Sequence, residues 1–148
     1  MAVHDAPGKQ LTPADVTAAS NWRQRLGTVA ALVALAVVDG VMKLAGFGSF
    51  HRIVRSFPAL GTAAVSERRI DAICQAVDRA ATLYFKRAWC LQRSATTACL
   101  LRLRGVPAEL VIGARKMPFY AHAWVEVAGR VVNDSPVVQR SYRVMERC

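Results

Sequence analysis

The sequence predicts an α+β fold, with helices first and a small antiparallel sheet after them. Three observations carry this. Apolar residues recur at helical spacing between Leu26 and Arg104, short apolar runs and strict alternation replace that spacing beyond Pro107, and Gly105, Pro107 and Gly129 punctuate the change. Helices in one run and strands in the next pack as one layer on another. A chain of 148 residues is long enough to bury a core without disulfide or metal support. Hydrophobic residues make up 53% and charged residues 20%, a balance that excludes collagenous, low-complexity and disordered classes.

Residues 1–21 are small and polar, include Pro7 and Pro13, and lack periodic apolar positions; they predict a flexible tail before one domain spanning 22–148. Leu26 to Val38 is an uncharged run of thirteen residues behind Arg23 and Arg25. It falls short of the roughly twenty apolar residues that span a bilayer. It also starts late for a signal sequence and is followed by no clear small-residue cleavage site. A helix buried against the domain or a partner is the expectation, with membrane contact as the rival. Ser66 to Phe85 places Ile70, Ile73, Cys74, Val77, Ala80, Ala81 and Tyr84 on a helical face, with Ser66 as N-cap. Cys90 to Arg104 is apolar over much of its circumference and stops at Gly105, Val106 and Pro107. Three strands are expected, Glu109–Gly113, Ala121–Val127 and Arg130–Asp134.

Twenty Lys and Arg against ten Asp and Glu give a net charge of +10, which steers acidic partners toward the chain. The basic residues are scattered, and no nucleic-acid motif organises them, so nucleic acid is not an expected partner. The four cysteines, Cys74, Cys90, Cys99 and Cys148, form no CxxC pair and have no His at zinc spacing. No metal or cofactor is expected, and the thiols read as reduced, hence cytoplasmic.

One thiol stands out by position. Cys90 opens a helix, where unpaired amides carry partial positive charge that favours a thiolate and can hold an oxyanion. Cys74 and Cys99 lie within apolar helical faces, the commonest setting of an unreactive Cys. His122 shares a strand face with Trp124 and Glu126. A three-residue hairpin loop of Val127, Ala128 and Gly129, with Gly129 at positive φ, would pair Glu126 with Arg130 and set His122 opposite Asp134. A two-residue loop would throw Asp134 to the other face. Cys90, His122 and Asp134 would then be nucleophile, base and orienter of an acyl-transfer site.

From Cys90 through Asp134, the string CLQRSATTACLLRLRGVPAELVIGARKMPFYAHAWVEVAGRVVND strongly resembles the transglutaminase-like leader peptidases of lasso-peptide biosynthesis, papain-like in fold. In that family the Cys opens the central helix, the HAW strand carries the base and the Asp ends the next strand. The resemblance extends more weakly through the ERRIDAICQAVDRAA helix and the apolar helix before it. It implies a cysteine peptidase that removes the leader from a precursor peptide, a small companion protein that recognises the leader, and a separate ATP-dependent lasso cyclase that joins the freed amine to an Asp or Glu side chain. Fused members carry a precursor-recognition domain for which this chain looks too short, so the standalone form is implied. Trp89, Gln92 and Trp124 are candidates for shaping the cleft, or for packing alone. A general transglutaminase-like amidase with the same triad and a non-catalytic adaptor of a maturation complex are the alternatives.

Overall fold

The computed structural model describes residues 13–58, 66–85 and 90–148, with side chains from residue 21 onward within them. Helices α1 (Pro13–Ser56), α2 (Glu67–Leu83) and α3 (Cys90–Leu103) precede strands β1 (Ala108–Lys116), β2 (Phe119–Val127) and β3 (Arg130–Val131). The short helix α4 (Val138–Ser141) and strand β4 (Arg143–Arg147) complete the chain. The four strands form one antiparallel sheet in the order β3-β2-β1-β4. The fold is α+β, as the sequence predicts.

Helix α3 sits between the other two helices and the sheet. Its Ala95, Ala98 and Leu101 are fully buried against Leu110 of β1 and Ala123, Val125 and Val127 of β2. Small residues on α3 let the helix approach the sheet closely, and burying the larger side chains opposite stabilises the pair by about 1.5–3 kcal/mol each. The end of α3 is a Schellman motif: Gly105 has φ of 78°, Gly105 N–H donates to Arg102 O, and Val106 N–H donates to Leu101 O. Val106 and Leu101 are both buried beside it. Arg102 is also buried, and its guanidinium donates to Ala108 O at 2.7 Å and Val54 O at 2.6 Å, tying α1 and β1 to α3. A buried cation without those carbonyls would be strongly destabilising.

The other face of the sheet carries a second, smaller core of Val111, Trp124, Val131 and Val138, with Tyr142 packed against it. Helix α4 and the lead into β4 supply that cover. Neither element was anticipated, because residues 135–148 mix Pro, Arg and Val with no sustained period.

Three expectations are corrected. Helix α1 begins at Pro13, inside the segment 1–21 expected to be a tail; residues 1–12 lie outside the described residues. The apolar helix extends far past Val38, to Ser56, with a non-helical break at Gly46 (φ 71°, ψ 168°). From Asn21 to Ser56 it is long and apolar enough to cross a membrane, by length and composition. It is also buried on one side only. Ala31, Leu35 and Val38 pack inward, while Leu26, Val29, Val33 and Val37 are more than half exposed. The third correction concerns the hairpin between β2 and β3 and belongs with the site it shapes.

Candidate active site

Cys90 is the first residue of α3 and is half-buried against the main core. Trp89 falls outside the described residues. One turn further along the helix, Ser94 is buried and its hydroxyl donates to Ala123 O at 2.9 Å. Residues four apart share a helix face, so the face of α3 that carries Cys90 and Ser94 is turned toward the part of β2 that carries His122.

The register of the next hairpin differs from expectation. Val127 pairs with Arg130 and Glu126 with Val131, so the loop is the two residues Ala128 and Gly129. Both have positive φ, 49° and 76°, as the two central positions of a type I′ turn require. Gly129 was expected at positive φ; Ala128 was not, because Ala gives no signal for that conformation. If β3 ran on in this register, Asp134 would face away from His122. The strand instead ends at Val131 and the chain bends over 132–134.

Asn133 fixes that bend. Its Oδ1 accepts from Val125 N–H at 2.7 Å and its Nδ2 donates to Ser94 Oγ at 2.9 Å. The amide therefore bonds strand β2 and helix α3 at once, and the next residue, Asp134, is carried back over the strand. Asp134 Oδ2 lies 2.7 Å from His122 Nε2, and Ser135 N–H donates to Asp134 Oδ1 at 2.7 Å. The predicted pair is in place, through a bent chain rather than through strand register. With Nε2 engaged by the carboxylate, Nδ1 is the imidazole nitrogen left for proton transfer.

Trp124, a candidate from the sequence, is joined around His122 by two residues that sequence reasoning missed, Tyr142 and Gly113. The His122 ring stacks on Trp124 at 6.3 Å and lies 5.3 Å from the Tyr142 ring. Gly113 is its register partner on β1. A Cβ there would come within 2.7 Å of Trp124 Cη2 and 2.9 Å of Tyr142 Cβ, so the bare backbone at Gly113 is what admits the aromatic wall. Trp124 itself is fully buried, and its indole N–H donates to Glu126 at 2.8 Å. The Gln92 amide donates to Asp39 Oδ1 on α1 at 3.0 Å.

Burial, with a smaller contribution from nearby Asp78 and Asp71, pushes the Cys74 thiol up to about 12. Burial likewise raises Cys99 and Cys148. Among the described residues no group of His, Cys, Asp and Glu could hold a metal ion.

Comparison with known proteins sets this geometry in a family. The Escherichia coli "Microcin J25-processing protein McjB" is 51% identical over 47 residues, which is 32% of this chain and only 23% of that protein. No solved structure matches. A family model, the transglutaminase-like superfamily, matches residues 34–147. That stretch takes in the second half of α1, the other helices, every strand and all three predicted site residues, and on that coverage the chain belongs to the transglutaminase-like superfamily.

Proposed function

We propose that this chain is a cysteine peptidase that removes the leader from a lasso-type precursor peptide, with Cys90 as nucleophile, His122 as base and Asp134 as orienter. The observation that carries the reading is the 2.7 Å contact between His122 Nε2 and Asp134 Oδ2; the neighbouring Asn133 bonds Ser94, one turn along α3 from Cys90. Similarity to a microcin-processing protein supports the substrate class.

In this reading the Cys90 proton passes to His122 Nδ1, and Sγ attacks the scissile carbonyl. The carbonyl oxygen takes the negative charge next to the unpaired amides at the start of α3. The C–N bond then breaks as the imidazolium returns its proton to the departing amine, which is the new N-terminus of the core peptide. Water, deprotonated by the same imidazole, releases the leader acid from Sγ. Asp134 keeps the ring in one tautomer and stabilises its charged form. The freed amine is the group a separate ATP-dependent cyclase would join to an Asp or Glu side chain, and a small companion protein would present the leader.

The test is incubation of the purified chain with the precursor encoded beside its gene and the companion recognition protein, read by mass spectrometry. The expected result is a single cleavage that Cys90→Ala abolishes. Intact precursor, together with deamidation of a Gln side chain at the same thiol, would replace this reading with that of a general transglutaminase-like amidase.

A further inference from the structure

A groove of about 760 Å³ opens between the first part of α1, α2 and the C-terminal end of α3. Its floor is apolar: Leu26, Val29 and Ala30 from α1, Ile73 and Ala76 from α2, and Leu100 from α3. Every charged residue lining it, among the described residues, is an arginine, namely Arg23, Arg69, Arg79 and Arg104. Among the described residues, none of the four has a carboxylate within ion-pair distance. Arg79 is held in place, its Nε donating to Thr28 Oγ1 at 3.1 Å while Thr28 donates to Gln24 O.

Four like charges around one groove repel one another and favour an anionic occupant. The floor narrows the choice. Inorganic phosphate gains nothing from an apolar bed, and among the described residues the lining holds no aromatic ring on which a nucleic-acid base could stack. Guanidinium groups are suited to carboxylates, which they grip in a bidentate fork. The floor also continues beyond the groove: Leu26 and Val29 lead into Val33 and Val37 on the exposed face of α1. From Leu26 to Val37 the helix rises about 17 Å, the length of roughly three helical turns.

We infer that this groove is the docking site for an amphipathic helix of a protein partner, with apolar anchors on one face and carboxylates flanking them. Apolar side chains at i, i+3, i+4 and i+7 lie along Leu26, Val29 and Ile73, and Asp or Glu residues on either side meet the arginines. This is the helix-in-groove mode of recognition. Leu100 lies ten residues along α3 from Cys90, about 15 Å away, so the docked helix leaves the thiol open. The inference goes beyond the catalytic assignment and does not depend on it.

The test uses the full-length chain and a fluorescent, end-capped peptide of about fourteen residues, with Leu on one face and Glu flanking it, against a twin carrying Lys in place of Glu. Anisotropy titrations are run at low and high salt. Vesicles of phosphatidylcholine with about one third phosphatidylglycerol form a separate pelleting arm. The expected result is binding of the Glu peptide at least tenfold tighter than its twin, weakened by salt. It should be weakened at least tenfold again by Arg69→Glu combined with Arg104→Glu, and by Ala72→Trp, which fills the groove without changing charge. Arg140→Glu combined with Arg143→Glu, two exposed positions away from the groove, is the control for net charge, and should leave the groove affinity within about twofold. Circular dichroism melts confirm that each variant is folded; if either groove variant fails to fold, the other and the salt dependence of the unaltered chain carry the comparison. Equal affinity for the two peptides overturns the inference, as does wild-type affinity in a folded groove variant. Retention on the anionic vesicles that the double arginine variant abolishes would assign the groove to a lipid surface instead.

Discussion

Cys90 differs from the other three thiols by its place as the first residue of α3. Cys74, Cys99 and Cys148 are held protonated by burial, and only thiolates react with alkylating agents. Iodoacetamide at neutral pH should therefore label Cys90 first in the folded chain, with loss of peptidase activity tracking that single adduct in a peptide map; faster labelling of Cys99 would overturn the assignment. Cys74→Ala and Cys99→Ala should act through stability instead, lowering the melting temperature while leaving turnover near wild type. His122→Ala should cost nearly as much rate as Cys90→Ala, because members of a triad act as a unit, and Asp134→Asn should retain more. Asn133 makes a sharper case. Asn133→Ala would leave the Val125 N–H without its acceptor, a loss of about 1–3 kcal/mol, would remove the amide donor to Ser94 Oγ, and would release the bend that carries Asp134. The expected outcome is a fall in kcat with Cys90 still alkylated at its usual rate, a split that a merely unfolded variant would not show. The sequence marked Cys90, His122 and Asp134 because each sits at a position with its own signal: a helix start, an alternating strand, a strand end. It gave Asn133 no such signal, since its role exists only once β2 and α3 have come together.

At the scale of elements, the β2–β3 hairpin shows how a right pairing can follow from a wrong register. Gly129 announces a turn, but a single Gly does not say whether the loop holds two residues or three, and the three-residue solution looked necessary only while β3 was taken to run straight to Asp134. The structure uses two residues and a bend. Ala128 sits at φ 49°, a conformation that costs an L-residue about 1–2 kcal/mol. Ala128→Gly should accordingly stabilise the chain by roughly 0.5–1 kcal/mol after the entropy of the added Gly is deducted, seen as a higher midpoint in urea. Gly129→Val should destabilise it by about 1–3 kcal/mol, although no atom lies within 4 Å of the added Cβ; the penalty is conformational. The helices α2 and α3 were legible nearly to the residue because their caps are local: Ser66 at one start, Gly105 at one end. Strand β4 was not, since it pairs only with β1, more than thirty residues earlier in sequence, and its own five residues are exposed and alternate no apolar face.

Over the whole molecule, the last residues close the fold by burying a charge. Glu126 is 1% exposed and accepts hydrogen bonds from Trp124, from Gln139 and from Arg147 at 2.7 Å. Arg147 also reaches Glu109 on β1, and the backbones of Cys148 and Leu110 bond each other in both directions. The last strand is thus pinned to β1, with Cys148 packed on the main core and Arg147 on the opposite face beside Glu126 and the Trp124 that backs His122. Alternation along β2 put Glu126 on the same face as His122 in sequence, but its partners arrive from residues 139 and 147, which no local pattern links to it. Burial alone would push this carboxyl upward; the hydrogen bonds from Arg147, Gln139 and Trp124 and the Arg147 charge outweigh it and hold the group below the usual carboxylate range. A depressed folded-state value means that the stabilisation is fully present above the unfolded carboxyl value, near pH 4.5, and disappears as pH falls through the lower folded value. Chemical denaturation from pH 7 down to 3 should show a loss of stability that steepens below about pH 4.5. Glu126→Gln should remove much of that slope, because Gln keeps an acceptor for Trp124 but does not titrate. Arg147→Ala makes the complementary prediction. It strands a buried carboxylate, so the variant should be less stable than wild type at pH 7 by about 3–5 kcal/mol, and it should recover part of the difference as acid neutralises Glu126. A variant whose deficit stayed constant from pH 7 to pH 4 would show that Arg147 contributes through packing and not through the charge it covers.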